Sequence, residues 1–300
     1  MSQTKIKNKN TNSNSHKPVL LDDVIEYLKP QKGERYLDLT AGYGGHSSSI
    51  LDITMSDAVL IDRDRNAISY LNDKFGIGDR VRVVHADFLQ ACKDLVAQSE
   101  KFDLILADLG VSSPHLDNVK RGFSLKLDGP LDMRMDDRQS LDASEVVNTY
   151  SAQKLEKIIR EYGEEPKARR MAELIVQSRP LTSTEELTGI AKRVWPGHSR
   201  THPATRLFQA IRLEVNAELQ QIEQVLPLMV DLLNPGGRMA VITFHSLEDR
   251  IVKRFIRGES GDRYDAVLTD ETPKPVGPSQ NETVNNPRSR SAKMRVAKRK

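Results

Sequence analysis

Three short strings in this 300-residue chain combine residue types able to hold a nucleotide-like ligand and act beside it. The first is Asp38-Leu-Thr-Ala-Gly-Tyr-Gly-Gly-His46, whose glycines suit a tight turn and the close approach of a ligand to the backbone. A helix after it would aim free N–H groups at that ligand. The spacing Gly42-x-Gly44-Gly45 departs from the G-x-G-x-x-G of dinucleotide enzymes. The second is Asp62, which follows Gly44 by 18 residues and can accept hydrogen bonds from both hydroxyls of a ribose. Asp64 and Asp87 compete for that role. Phe88 offers a ring on which an adenine can stack, and is equally suited to a core. The third is Asp108-Leu-Gly-Val-Ser-Ser-Pro114, a carboxylate joined to a hydroxyl-bearing turn. An exocyclic amine on a pyrimidine is a poor nucleophile, because its lone pair is conjugated into the ring. Asp108 and the carbonyls of 109–113 are natural acceptors for its protons. Holding the amine in line with an electrophile supplies much of the remaining acceleration.

Two further clusters stand out. Arg121-Gly-Phe-Ser and Asp128-Gly-Pro-Leu-Asp-Met-Arg-Met135 are dense in turn residues and charges. Phe244-His-Ser-Leu-Glu-Asp-Arg250 sets His245 where a base or a phosphate would pass. His245, Glu248 and Asp249 also invite a metal reading, but the two acids are better explained as first-turn residues of a helix, and no metal is expected. No nucleophile elbow is present, so hydrolase chemistry is poorly supported.

The elements that must position these residues alternate between strand and helix. Apolar, β-rich runs lie at Arg35–Thr40, Ala58–Asp62, Val81–Val84, Phe102–Leu109 and Arg238–Phe244, the last entered through an Asn234-Pro-Gly-Gly237 turn. Short buried runs separated by helices predict an α/β fold with a mostly parallel, doubly wound sheet. In such a sheet ligands bind at the carboxyl ends of the strands, where all three strings fall. More than a hundred residues separate the fourth run from the fifth, too many for one crossover. Helical spacing recurs there at Leu155/Ile158/Ile159/Tyr162, at Ala168/Met171/Ala172/Ile175 and at Leu187/Ile190/Ala191/Val194, the last behind a Thr182/Glu185 capping box. This predicts a small helical domain at 119–200 inserted between 18–118 and 201–300. A helix with Ala204, Leu207, Phe208 and Ile211 on one face would return the chain to the sheet. Residues 258–290 read as a long loop, and Ser291–Val296 as a final strand.

Composition bounds the rest. At 38% hydrophobic and 29% charged, with no long apolar run, the chain reads as a globular protein without a membrane segment. Residues 1–17 carry four lysines, no acid and no apolar stretch, and are expected to form a disordered arm rather than an export signal. The single Cys92 rules out an intrachain disulfide and fits the cytoplasm. Net charge is only +3, yet residues 285–300 hold seven Lys/Arg and no acid, a stripe suited to phosphate.

Taken together, the strings resemble a known family. From His16-Lys-Pro-Val-Leu-Leu21 to Asn286-Pro-Arg-Ser-Arg-Ser-Ala-Lys-Met-Arg-Val296, through DLGVSSP, RGFS, DGPLDMRMD, HPATRLFQAIR (202–212) and FHSLEDRIVKRF (244–255), the chain is similar to the bacterial 16S ribosomal RNA (cytosine-N4)-methyltransferases, the RsmH or MraW family. The resemblance implies a Rossmann-like methyltransferase sheet and S-adenosylmethionine as cofactor. Its substrate would be a cytidine N4 in the decoding centre of 16S ribosomal RNA, within the small subunit. Carried over, the cofactor contacts are Gly44, Gly45, His46, Asp62, Phe88, Asp108 and His115, where the family usually has Gln. Asp108, Ser112, Ser113 and Pro114 would hold the amine, assisted by His245. The insertion is similar to the family's substrate-recognition domain, with Lys167, Arg169, Arg170, Lys192, Arg193 and Arg200 as further phosphate contacts. Tyr43 departs from the family's small residue. A homodimer is left open.

Overall fold

The computed structural model describes residues 18–76, 78, 80–111, 117–197, 202–261 and 264–300. Five strands run parallel: β1 (Tyr36–Asp38), β2 (Ala58–Asp62), β3 (Val81–His85), β4 (Phe102–Asp108) and β5 (Leu233–Thr243). β6 (Leu268–Asp270) and β7 (Lys293–Arg299) complete the sheet in the order β3-β2-β1-β4-β5-β7-β6, with β7 antiparallel to both neighbours. The expected doubly wound sheet is present, and its order reverses between β1 and β4, where such sheets open a ligand crevice.

Side chains alternate between two faces. Tyr36, Leu104, Leu106, Ala240 and Ile242 pack with α1 (Leu21–Leu28), α2 (Gly45–Thr54) and α3 (Arg65–Phe75). Leu37, Ile105, Met239 and Val241 pack with α4 (Phe88–Ala97), α10 (Glu218–Leu232) and α11 (Ser246–Glu259). No helix among the described residues is long and apolar enough to cross a membrane.

Between β4 and β5 a third core forms from α5 (Ala143–Thr149), α6 (Ala152–Glu161), α7 (Ala168–Gln177), α8 (Thr184–Val194) and α9 (Thr205–Asn216). The face of α9 read from the sequence is buried, but Leu207, Phe208 and Ile211 join this helical core. The helix expected to return the chain to the sheet therefore belongs to the helical unit, and α10 makes the return. The capping box of α8 is Ser183 with Glu186, one residue later than expected. The Asn234–Gly237 turn lies inside β5 as an irregularity: Phe102 pairs with Leu233 and Leu104 with Arg238. The presumed loop 258–290 contains β6 and the short helix α12 (Gln280–Asn285). The expected arm at 1–17 lies outside the described residues.

Candidate active site

The glycine loop follows β1 and leads into α2. Gly44 has φ +67°, and a Cβ there would come within 2.6 Å of the Phe75 ring; at Gly45 it would meet Pro18 at 2.5 Å. These glycines are therefore demanded by the protein's own packing as well as by any ligand. Beneath the loop, Asp38 is buried and braced. Its carboxylate accepts from the Tyr36 hydroxyl at 2.8 Å, the Ser47 hydroxyl at 2.6 Å and the Thr40 N–H at 3.1 Å. Tyr43 packs its ring at a 56° tilt against Tyr70 of α3, centroids 5.2 Å apart, so the loop accommodates its large side chain.

Asp62 ends β2. Gly42 N–H donates to one carboxylate oxygen at 2.7 Å and Asp64 N–H to the other at 2.8 Å, which fixes the group beside the glycine loop. Its two competitors are helix caps: Asp64 accepts from Asn66 N–H and Asp87 from Gln90 N–H. Phe88 is 7% exposed, packed in the sheet core with Leu37 and Ile61.

Asp108 stands at the carboxyl end of β4, facing the loop. Its N–H finds no strand partner beyond the end of β1 and donates instead to the Thr40 hydroxyl at 2.6 Å. One carboxylate oxygen, Oδ1, is buried without a partner among the described residues. The other lies 3.9 Å from His46 Nδ1. Burial, then the charges of Asp38 and Glu248, push the Asp108 carboxyl well above its ordinary range. Burial also lowers His46, to about 4. The neutral ring donates from Nε2 to Val19 O at 2.9 Å, which leaves the Nδ1 lone pair turned to Asp108.

His245 closes the end of β5 as the N-cap of α11. Its Nδ1 accepts from Glu248 N–H at 3.4 Å, and Glu248 reaches back to the Phe244 and His245 N–H groups. Burial pushes Glu248 up, but the His245 contact, Arg212 and the Phe244 N–H together hold it below the ordinary carboxylate range. Asp249 turns the other way and pairs with Arg295 at 2.6 Å and Lys293 at 3.4 Å. The three residues that invited a metal reading thus serve the helix start and a core ion pair. Ser112, Ser113, Pro114 and His115 lie outside the described residues.

The charged cluster of the insertion reaches the start of α3 beside Asp62. Arg121 donates to Arg134 O and Met135 O, both at 3.0 Å, and reaches Asp64 at 3.4 Å. Asn216, at the end of α9, donates to Met133 O and accepts from Met135 N–H, each at 2.8 Å. Asn216, Thr40 and Ser47 were not singled out in the sequence. Each acts by a polar contact across a distance in the chain, and no spacing signals that.

The profile of the MraW methylase family matches residues 13–300. The chain belongs to this family. Similar proteins include two named ribosomal RNA small subunit methyltransferase H. That of Cyanothece sp. is 48% identical over 95% of this chain and 94% of its own length; that of Syntrophotalea carbinolica is 44% identical over 95% and 98%. A solved rRNA methylase of Clostridium thermocellum aligns with a TM-score of 0.45 at 11% identity, covering 93% of this chain and 95% of its own. Methylases of this family take the methyl group from S-adenosylmethionine, and the residues fit that donor. The buried Asp108 Oδ1, without a partner among the described residues, could accept from a hydrogen-bond donor such as an ammonium or an amine. Asp62 is held where ribose hydroxyls would reach it.

Proposed function

We infer that this chain is an S-adenosylmethionine-dependent ribosomal RNA methyltransferase, and we propose that its acceptor is the N4 amine of a cytidine in the decoding centre of 16S rRNA. The proposed setting is the small ribosomal subunit in the cytoplasm. The observation that carries the reading is Asp108: a carboxylate at the crevice edge of β4, one oxygen buried without a partner among the described residues, its proton affinity raised by burial.

Bound cofactor supplies an electrophilic methyl on a sulfonium. In this proposal Gly44, Gly45 and His46 cradle it and Asp62 accepts from its ribose. Phe88 contributes apolar surface from the core beneath. The target base must leave its stack for its amine to reach the crevice. Asp108 then accepts a hydrogen bond from the amine, which helps localise the lone pair on N4. After transfer the methylated amine carries a positive charge and sheds a proton. A carboxylate of raised pKa takes that proton more readily than an ordinary one. Ser112, Ser113 and Pro114 would shape the turn that holds the base, with His115 in the position of the family's Gln. His245 would act mainly by fixing the start of α11.

The test incubates the protein with S-adenosylmethionine and either 16S rRNA or 30S subunits lacking the modification, then resolves the digested nucleosides by mass spectrometry. New N4-methylcytidine, abolished by Asp108→Ala, is expected. Cofactor binding by calorimetry with no methylated cytidine on either substrate would refute the assignment of the target.

A further inference from the structure

We propose that the outward face of α11 is the track along which the RNA backbone leaves the active site, an inference that rests on the RNA-methyltransferase reading above. Arg250, Lys253, Arg254 and Arg257 fall at i, i+3, i+4 and i+7 of this helix. At about 100° per residue they share one stripe, and at about 1.5 Å per residue they span about 10 Å. The opposite face, with Val252 and Ile256, is buried in the sheet core. The stripe therefore points outward.

Beyond Arg250 its charge is uncommitted among the described residues. Lys253, Arg254 and Arg257 form no ion pair or side-chain hydrogen bond among the described residues, whereas most of the other described basic groups singled out in the sequence are engaged, Lys192, Arg290 and Lys298 being the exceptions. In the C-terminal run, Arg295 is buried on Asp249, Lys293 joins the same acid, Arg299 donates to Val230 O and Leu233 O, and Arg288 pairs with Asp117. In the helical unit, Lys167 donates to Val194 O over the Trp195 ring, Arg169 and Arg170 share Glu173, and Arg193 donates to Ser178. A run of cations left without acids on one helix face suits a polyanion with regularly spaced charge.

The stripe also starts in the right place. α11 begins directly after His245, at the crevice edge of β5. Its first basic residue, Arg250, meets Glu164 of the helical unit at 2.9 Å, and Ser246 binds the same carboxylate at 2.6 Å. Glu164 also feels Arg206 of α9. The track thus opens at the junction of sheet and helical unit, beside the crevice, and runs down α11 away from it. Glu164 holds Arg250 in place at that entrance.

The experiment compares the wild-type chain with Lys253→Ala/Arg254→Ala/Arg257→Ala. The three side chains are at least partly exposed and alanine favours helix, so the fold and the S-adenosylmethionine affinity serve as internal controls. Binding to 16S rRNA and to 30S subunits is measured across a salt series. Loss of three phosphate contacts lowers the slope of log K against log salt by about 2 to 3, and weakens RNA binding at least about tenfold near physiological salt. An unchanged slope and affinity would overturn the track. So would a defect seen with 30S subunits but absent with naked rRNA, because the stripe would then meet an acidic protein instead. If the wild type methylates neither substrate, it is the RNA-methyltransferase reading that fails, and the two failures are separable.

Discussion

Replacing Thr40 with Val tests the idea that a hydroxyl on one strand end sets the carboxylate on another. The change keeps the branched shape and removes the acceptor for the Asp108 N–H, now made at 2.6 Å. An amide left without a partner costs about 1–3 kcal/mol, the lower end applying here because Thr40 is half-buried. The strand end relieves that cost by shifting toward another acceptor, and the Asp108 carboxylate moves with it. A displacement of about 1 Å at a group that positions a nucleophile lowers the rate by about 100-fold. Single-turnover methyl transfer, with substrate and cofactor saturating, reads that loss directly. Thr40→Ser keeps the hydroxyl and should recover most of the rate. A Thr40→Val rate within twofold of wild type would refute the reasoning. So would a serine variant as slow as valine, since serine keeps the hydroxyl that is argued to set the rate.

Asp108→Asn should raise the melting temperature of the ligand-free protein near pH 7 while abolishing methyl transfer. A carboxyl whose folded pKa is raised destabilises the fold once pH exceeds its unfolded value, and thermal scans at several pH values check this. His46 carries the complementary slope. Its folded pKa is about 4 against 6.5 unfolded, so the unfolded chain binds more protons in that window and stability falls as pH drops through it, by up to about 3 kcal/mol. Urea unfolding of His46→Leu should lack this contribution. Asp249→Ala leaves the buried Arg295 without its carboxylate and should cost about 3–5 kcal/mol in urea unfolding, largely regained in Asp249→Leu/Arg295→Met. Cys92, buried and pushed up to about 12 chiefly by burial, should resist a thiol reagent in the native state and react at once in denaturant.

The inner parallel strands were legible because strands buried on both faces read as apolar runs, and the edge strand β3 because its valines are β-branched. β6 was not: Leu268-Thr-Asp is too short to show a pattern, and only its pairing with β7 makes it a strand. Periodicity revealed that α9 has a buried face but not which core receives it, since a helical pattern specifies a face and no partner. The α8 cap shows a similar limit. Thr182 with Glu185 and Ser183 with Glu186 have the same spacing, and backbone geometry alone selects the second. In the site, the glycine loop, Asp62 and Asp108 could be read from their register with strand ends. In the basic C-terminal stripe, Arg288, Lys293, Arg295 and Arg299 meet acids or carbonyls after folding, which counting charges along a sequence does not show. Thr40 and Asn216 carry no signature at all.

Asn216 has a bearing on how the sheet is assembled. β4 and β5 are neighbours, yet roughly 120 residues intervene, and bringing the ends of so long a flexible loop together costs about 4 kcal/mol beyond a fixed term. The helical unit has a core of its own, and Asn216, at the end of its last helix, is tied to Met133 and Met135 near its beginning. Collapse of the unit before the sheet closes would shorten the effective loop to roughly 40 residues and lower the closure cost by about 1 kcal/mol, a factor of about five in rate. An Asn216→Ala chain should then refold more slowly as well as unfold more readily. In that role the insertion acts as a splint, drawing two distant stretches of backbone into reach before they pair.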